Sequence, residues 1–249
     1  MLRPRLAAAG PPNCRRCGLA RRHRAPGGRR QPLRSLRGDP RRAQRDRRRQ
    51  PPPDVRGLYR FYEELALRFA ERGVDAVAID YFGRTAGAAK RGDDFDNSPH
   101  VAQTTQEGIQ ADVRAAVERL RPRTRAIFAV GFCFGGRNSW LAAASGHGLA
   151  GAVGFYGNPG ERDGAPGPTQ RAAELEAPIL ALQAGADQNI TAEMNEAFDR
   201  ALKNAGVEHQ LVTYEGAPHS FFDRRYEEFA EASEDAWRRV LEFLETHSA

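Results

Sequence analysis

The sequence predicts an α/β fold, in which a mostly parallel sheet carries helices on both faces. From residue 54 onward, short apolar runs alternate with longer amphipathic segments, and polar loops rich in glycine and proline separate them. Strands that alternate with helices favour parallel strands joined by crossover helices. With 40% hydrophobic residues, the chain can also bury a core of the size such a domain needs.

Each element is predicted from its apolar spacing and from the residues that end it. Apolar residues at intervals of three and four indicate helices, and continuous short apolar runs indicate buried strands. The predicted helices span 58–69 (ended by Gly73), 105–120, 135–145, 192–205 and 226–246. The predicted strands span 74–79, 126–131, 149–155, 178–183 and 209–214, and residues 80–104 are predicted to be a long polar loop.

Residues 1–53 differ sharply in composition from residues 54–249. They hold 17 Arg, two Asp, no Lys and no aromatic residue, which gives a net charge of +15. Because the net charge of the whole chain is +6, residues 54–249 carry a net charge of −9. Such a segment cannot bury enough apolar surface to offset its ordering entropy, which predicts disorder. It could be an arginine-rich arm for nucleic acid or anionic lipid, or a solvated tail. We favour a third interpretation, GC-rich DNA translated in a wrong frame, so that the segment is not the domain's authentic start.

Composition also excludes several classes of protein. No run of 18 apolar residues is present, so no membrane span is predicted, and the apolar stretch 6–9 is too short for a signal peptide. Three cysteines give no disulfide framework, and an unpaired Cys133 fits a cytoplasmic location. Cys14 and Cys17 have only His23 nearby, too few ligands for a metal site, so no metal is expected.

The segment Gly-Phe-Cys-Phe-Gly-Gly at 131–136 lies between a predicted strand and a predicted helix. This is the context of a nucleophile elbow, with Cys133 in the place that Ser usually occupies. The positive end of a helix dipole favours the thiolate. The alternative is a buried, inert cysteine in a glycine-rich turn.

Two further residues complete a nucleophile–acid–histidine order. Asp187 follows the strand 178–183, and His219 follows the last strand, in a loop with Gly216 and Pro218. Taken singly, Asp187 could be a turn or helix cap and His219 a surface residue. Together with Cys133 they predict a catalytic triad, with His219 as the base and Asp187 fixing its tautomer. The backbone N–H of Phe134, the residue after the nucleophile, is expected in the oxyanion hole.

These motifs resemble the dienelactone hydrolase family of α/β-hydrolases across residues 54–249. The resemblance rests on the cysteine elbow and on four other segments, 54–58, 79–82, 184–187 and 216–221. It implies that Val55 supplies the second oxyanion N–H and that Asp54 lies near the resting thiol. It also implies hydrolysis of cyclic enol-lactones without metal or organic cofactor.

The sequence departs from the family pattern in two places. The family has strands ahead of the segment that matches 54–58, where this chain has three prolines at 51–53, so the domain is predicted to lack its first strands. The family prototype also binds the substrate carboxylate with arginines, one of them soon after the histidine. Here Asp223 lies four residues past His219, and the candidate substrate-binding cations are Arg84, Arg224 and Arg225.

The sequence therefore predicts a cofactor-free hydrolase of carboxylic esters or lactones (EC 3.1.1) with a small-molecule substrate. Because thiolate is a better leaving group than most alkoxides, activated esters and enol-lactones suit a cysteine nucleophile. Two alternatives remain open: a catalytically impaired truncated homologue, and an arginine-rich nucleic-acid-binding protein with a passenger hydrolase domain. No nucleic-acid partner is expected, and the sequence predicts no oligomeric state.

Overall fold

The computed structural model describes residues 60–87, 91 and 95–248. The predictions for residues 1–53, Asp54 and Val55 lie outside these ranges. The described part holds four strands and seven α-helices in the order α1 (Arg60–Ala70), α2 (Gly83–Ala86), α3 (Ser98–Val101), α4 (Gln106–Leu120), β1 (Phe128–Phe132), α5 (Phe134–Ala143), β2 (Gly151–Phe155), β3 (Ile179–Ala184), α6 (Ala192–Ala205), β4 (His209–Tyr214) and α7 (Ala230–Thr246).

The four strands form one parallel sheet in the order β1-β2-β3-β4. Each strand therefore lies beside the next strand along the chain. Because all four run in the same direction, their carboxyl ends meet at one edge, where an open α/β sheet binds its ligands.

Side chains of β3 show how the sheet is buried on both faces. Leu180 and Leu182 belong to the core shared with α1 and α7, whereas Ile179 and Ala181 belong to the core shared with α5 and α6. Alternate residues of a strand point to opposite faces, so a strand covered on both sides is apolar throughout. The predicted fold class, a parallel sheet with helices on both faces, is confirmed.

Local signals account for the predicted helix ends. The Thr105 hydroxyl accepts a hydrogen bond from the Gly108 N–H at the start of α4, and Thr191 does the same for α6. Gly206 ends α6 in the left-handed conformation. The helix α6 and the strand β4 have the predicted bounds, and α4, β2 and α7 end at the predicted residue. The other predicted boundaries from residue 105 onward shift by one to four residues.

One predicted strand is wrong. Residues 74–79 form no strand, and Val77 is 43% exposed. A strand needs a hydrogen-bonded neighbour, and among the described residues none pairs with this segment. The region 80–104, predicted as a loop throughout, also contains the short helices α2 and α3.

A cavity of about 760 Å³ is lined on different sides by residues 74–79 and by β1. Its walls include Leu65 and Phe69 of α1 and Val113 and Val117 of α4. None of the predicted triad residues lines it, although Phe134 does, and we interpret it as a gap in the packing. Within the described part of the chain, β1 is paired with β2 on one side and with no strand on the other. The gap lies along this unpaired edge of the sheet. Its apolar walls resemble the surroundings of a buried strand.

We expect that replacing residues 1–53 with a leader encoding two short apolar strands will stabilise the domain. A strand paired with β1 would cover the open edge and bury apolar side chains, each worth about 1.5–3 kcal/mol when fully buried. The free energy of unfolding in urea should rise by at least about 2 kcal/mol, measured by tryptophan fluorescence.

The control is a leader of equal length in which Lys and Pro replace alternate apolar residues, since neither suits a central strand. Equal stability with both leaders would mean that the gap accepts no strand.

Candidate active site

Cys133 occupies a strained turn between β1 and α5. Its backbone angles are φ 52° and ψ −114°, and its N–H donates a hydrogen bond of 2.9 Å to the carbonyl oxygen of Phe155. A non-glycine residue with positive φ is costly and persists only where its surroundings enforce it. The side chain is partly buried at the carboxyl edge of the sheet.

Two glycines of the turn are required by close backbone contacts. A methyl group on Gly131 would lie 2.0 Å from the carbonyl oxygen of Gly135, and one on Gly136 would lie 2.7 Å from that of Phe155. A methyl group on Gly135 would instead have its nearest contact at 3.6 Å, the Tyr81 hydroxyl. The turn after β1 therefore needs glycine at 131 and 136, but not at 135.

Asp187 and His219 come together from the loops after β3 and β4. The backbone joins these loops, because the N–H of Gly185 donates to Tyr214 and the N–H of Ala186 donates to Ala217, both at 2.9 Å. The side chain of Asp187 is 1% exposed, and its Oδ2 forms a hydrogen bond with Nδ1 of His219.

The second oxygen of the Asp187 carboxylate serves its own loop. Oδ1 accepts hydrogen bonds from the N–H groups of Asn189 at 2.9 Å and Ile190 at 3.3 Å. Burial by itself would raise the pKa of Asp187, but the hydrogen bonds from His219 and from these N–H groups hold that pKa below its usual value. Asp187 is thus a loop-capping residue and a histidine partner at once.

The other ring nitrogen of His219, Nε2, is buried and has no hydrogen-bond partner among the described residues. The ring lies against Tyr156, with 4.9 Å between centroids. Tyr156 directly follows β2, and the last carbonyl oxygen of β2 accepts the hydrogen bond from the Cys133 N–H. Tyr156 also has a positive φ, 36°. One strained aromatic residue therefore connects the cysteine turn with the histidine.

The remaining predicted site residues have varied surroundings. Phe134 begins α5, directly after Cys133. Each predicted cation has a carboxylate neighbour: Arg84 pairs with Asp112 at 2.5 Å, Arg225 with Glu228 at 2.9 Å, and Arg224 lies 3.7 Å from Asp223. Their role in substrate binding stays a prediction.

The sequence analysis missed Arg137 and Tyr156. Arg137 is buried in α5, where its guanidinium donates to the carbonyl oxygens of Asn158, Gly160, Ala165 and Pro166 and so holds the loop after β2. Its partners are backbone groups, which no residue pattern reveals. The position of Tyr156 directly after an apolar strand was the available signal for that residue.

Within the described residues, no helix is long and apolar enough to cross a membrane. In the same part of the chain, no group of three or more His, Cys, Asp or Glu side chains is placed to hold a metal ion.

The site has a cysteine on a strand–turn–helix elbow and a histidine held by an aspartate, and both lie at the carboxyl edge of a parallel sheet. This arrangement defines an α/β-hydrolase. The chain belongs to the dienelactone hydrolase family, whose family model matches residues 52–248. It is therefore a carboxylic ester hydrolase.

Two relatives illustrate this similarity. A protein of Escherichia coli (strain K12) assigned as a carboxymethylenebutenolidase is 30% identical over 206 residues, which cover 78% of this chain and 74% of the relative. The carboxymethylenebutenolidase of Rhodococcus opacus is 28% identical over 204 residues, which cover 78% of this chain and 79% of the relative.

Solved structures agree with the fold. The crystal structure of a protein assigned as a dienelactone hydrolase, from Klebsiella pneumoniae subsp. pneumoniae MGH 78578, has a TM-score of 0.69 at 25% identity and covers 77% of this chain and 83% of its own. A dienelactone hydrolase-like promiscuous phosphotriesterase from metagenomic libraries has a TM-score of 0.65 at 22% identity and covers 79% and 84%, which is a likeness of fold.

We expect Gly131→Ala to destabilise the protein and Gly135→Ala to be tolerated. The first substitution forces a methyl group into a backbone carbonyl, whereas the second places it on a helix at ordinary van der Waals distance from Tyr81. Overpacking of this kind costs about 1–3 kcal/mol or more, and a helical glycine costs about 0.5–1 kcal/mol relative to alanine. Urea unfolding of the two variants measures the difference, and equal effects would contradict the steric argument.

Proposed function

We propose that the protein hydrolyses activated carboxylic esters or enol-lactones through Cys133, His219 and Asp187, with a thioester intermediate. The observation that carries the proposal is the Asp187–His219 hydrogen bond, which leaves the buried Nε2 of His219 available at the sheet edge where Cys133 lies. The geometry supports this assignment because the carboxylate fixes the proton on Nδ1 and makes Nε2 the basic nitrogen.

In the first half-reaction, Nε2 of His219 accepts the thiol proton while Sγ of Cys133 bonds to the substrate carbonyl carbon. The resulting oxyanion is stabilised by the backbone N–H of Phe134 and, by the family resemblance, that of Val55. When the tetrahedral intermediate collapses, the C–O bond breaks and the imidazolium returns its proton to the leaving oxygen.

In the second half-reaction, His219 takes a proton from water as the water oxygen attacks the thioester carbonyl. Collapse then breaks the C–S bond and releases the acid, and the imidazolium returns its proton to Sγ of Cys133, which restores the thiol. No step needs a metal or an organic cofactor, and the proposed partner is a small ester or lactone. We propose a cytoplasmic location, where a free Cys133 would stay reduced.

The leaving group decides which substrates suit this chemistry. The thiolate and the substrate oxygen compete to leave the tetrahedral intermediate, and thiolate leaves before a simple alkoxide. Enolates and phenolates leave more readily, so enol-lactones and aryl esters are favoured over amides and alkyl esters.

We expect Cys133→Ala to reduce hydrolysis of a 4-nitrophenyl ester to the uncatalysed background while the fold is retained. Cys133→Ser should keep little activity, because His219 would have to deprotonate a far weaker acid. Steady-state absorbance measures turnover, and circular dichroism checks the fold.

The control variant replaces Cys14 and Cys17 with Ser and leaves Cys133 as the one cysteine in the chain. It should keep wild-type turnover and lose it on alkylation with iodoacetamide. Turnover by Cys133→Ala at the wild-type rate would remove the cysteine from the mechanism, and background turnover by the wild type would favour the impaired-homologue alternative.

We expect Asp187→Asn to lower kcat by up to about 10⁴-fold with little change in KM, because the loss of the orienting carboxylate leaves the wrong histidine tautomer. The amide can still accept the loop hydrogen bonds from Asn189 and Ile190, so the loop should persist. A loss of less than about tenfold would mean that another group orients His219.

A further inference from the structure

The side chain of Tyr156 is held at both of its ends. Its backbone N–H donates a hydrogen bond of 2.8 Å to the carbonyl oxygen of Leu182, which fastens the residue after β2 to β3. The residue is fully buried, and its hydroxyl donates a hydrogen bond of 2.5 Å to Oδ1 of Asp223. A buried ring that is fixed at its backbone and at its far end forms a rigid surface for its neighbours.

The acceptor of the Tyr156 hydrogen bond lies in the same turn as the predicted catalytic histidine. Asp223 follows His219 by four positions, and the N–H of Arg224 closes the turn by donating to the carbonyl oxygen of Ser220 at 3.1 Å. The Tyr156 hydroxyl therefore ties the turn that carries His219 to the end of β2.

The ring of Tyr156 also packs on the imidazole itself. The two ring centroids are 4.9 Å apart, and the ring planes are inclined at 53°. Asp187 holds the imidazole through Nδ1, and a single hydrogen bond at one edge leaves a planar ring able to tilt about that contact. Nε2, at the other edge, has no partner among the described residues, so the packing against Tyr156 limits the tilt.

The tilt of the imidazole decides whether it can act as a base. Proton transfer needs a separation of about 2.6–3.2 Å between the two heavy atoms. A misplacement of about 1 Å in a reacting group can cost about 10²-fold in rate. A residue that fixes the ring plane of His219 therefore affects the rate without touching the substrate.

We propose that Tyr156 is a positioning residue for His219. Its ring sets the tilt of the imidazole, and its hydroxyl fastens the histidine turn through Asp223. This inference rests on the proposed function, because it takes Nε2 of His219 as the base for Cys133. Asp223 acts as a hydrogen-bond acceptor, and its charge plays no part in the assignment.

The first test removes the hydroxyl and keeps the ring. Tyr156→Phe should lower kcat for a 4-nitrophenyl ester by at least about tenfold, because a displaced base slows proton transfer. KM should change by less than about twofold, because no substrate contact is lost. Tyr156→Leu, which also removes the aromatic face, should lower kcat by about 10²-fold.

Alkylation of Cys133 by iodoacetamide separates positioning from a general loosening of the fold. The measurement uses the full chain with Cys14 and Cys17 replaced by Ser, so that one cysteine is left to react. A histidine within reach stabilises the thiolate and brings the pH midpoint of alkylation below the value of about 8.5 for a free cysteine. Tyr156→Phe should raise this midpoint by at least about 0.5 pH unit toward the free-cysteine value.

The matched control is Tyr214→Phe. The Tyr214 hydroxyl also donates to a carboxylate, Oδ2 of Asp235 on α7, at 2.9 Å. The substitution removes the same group from the end of β4 and keeps the backbone of that strand. Its kcat and its alkylation midpoint should equal those of the wild type. Equal changes in the two Phe variants would show a general loss of stability and would overturn the assignment to Tyr156.

If Tyr156→Phe does not fold, two substitutions of Asp223 test the same hydrogen bond. Both remove the charge, but Asp223→Asn keeps an oxygen that can accept from the Tyr156 hydroxyl, whereas Asp223→Ala does not. The kcat of the Asn variant should exceed that of the Ala variant by at least about fivefold, and its alkylation midpoint should be lower. Equal values for the two variants would overturn the inference.

Failure of the inference is distinguishable from failure of the proposed function. Three results would overturn the positioning role and leave the Cys133 mechanism standing: wild-type kinetics in Tyr156→Phe, a rise in KM alone, or a lower kcat with an unchanged alkylation midpoint. A wild-type midpoint at the free-cysteine value would also overturn it, since there would be no resting contact with His219 to lose. Turnover by Cys133→Ala at the wild-type rate would overturn the mechanism, and the inference with it.

Discussion

The backbone-to-backbone contact at the turn after β1 is the constraint on which the site depends. Gly131 lies directly against the carbonyl of Gly135, and Gly136 lies against the carbonyl of Phe155 at the end of β2. These contacts leave no room for side chains at 131 and 136, and they hold Cys133 at φ 52°. The strain at the cysteine is thus stabilised by packing between β1, α5 and β2, which lie in the buried core.

The same parallel sheet explains how residues distant in sequence share one edge. Cys133, Tyr156, Asp187 and His219 each follow a different one of the four strands, and the carboxyl ends of parallel strands lie side by side. The backbone hydrogen bonds between the loops after β3 and β4 then reduce the freedom of Asp187 and His219 relative to each other. A scaffold of this kind lets loops carry chemistry while buried strands fix their spacing.

Local patterns made part of this structure predictable. The helix α6 has its predicted bounds, and local residues explain why: Thr191 caps its start and Gly206 ends it, directly beside the segment. The Asp187–His219 pairing followed from a general rule, namely that post-strand loops of a parallel sheet converge at one edge. These predictions needed no knowledge of which residues touch across the fold.

The features that sequence alone did not predict all depend on distant partners. Residues 74–79 have the composition of a strand, but composition does not reveal whether a neighbouring strand is present to pair with them. Likewise, the sequence shows an acid at Asp223, but its contact with Tyr156 spans 67 positions. Arg137 escaped notice because its partners are carbonyl oxygens, which every residue carries.

The balance of charge around His219 connects the fold to the chemistry. Asp187 is held below its usual pKa by hydrogen bonds that stabilise its charged form, so an ionised partner is present for the imidazolium at neutral pH. The Tyr156 ring that packs against His219 donates a hydrogen bond to the buried Asp223, and the strained backbone of Tyr156 directly follows the end of β2 that accepts the Cys133 N–H. The residues that fix the nucleophile are therefore connected to those that hold the base. A substitution at Tyr156 would accordingly disturb both the end of β2 that accepts the Cys133 N–H and the packing of the His219 ring.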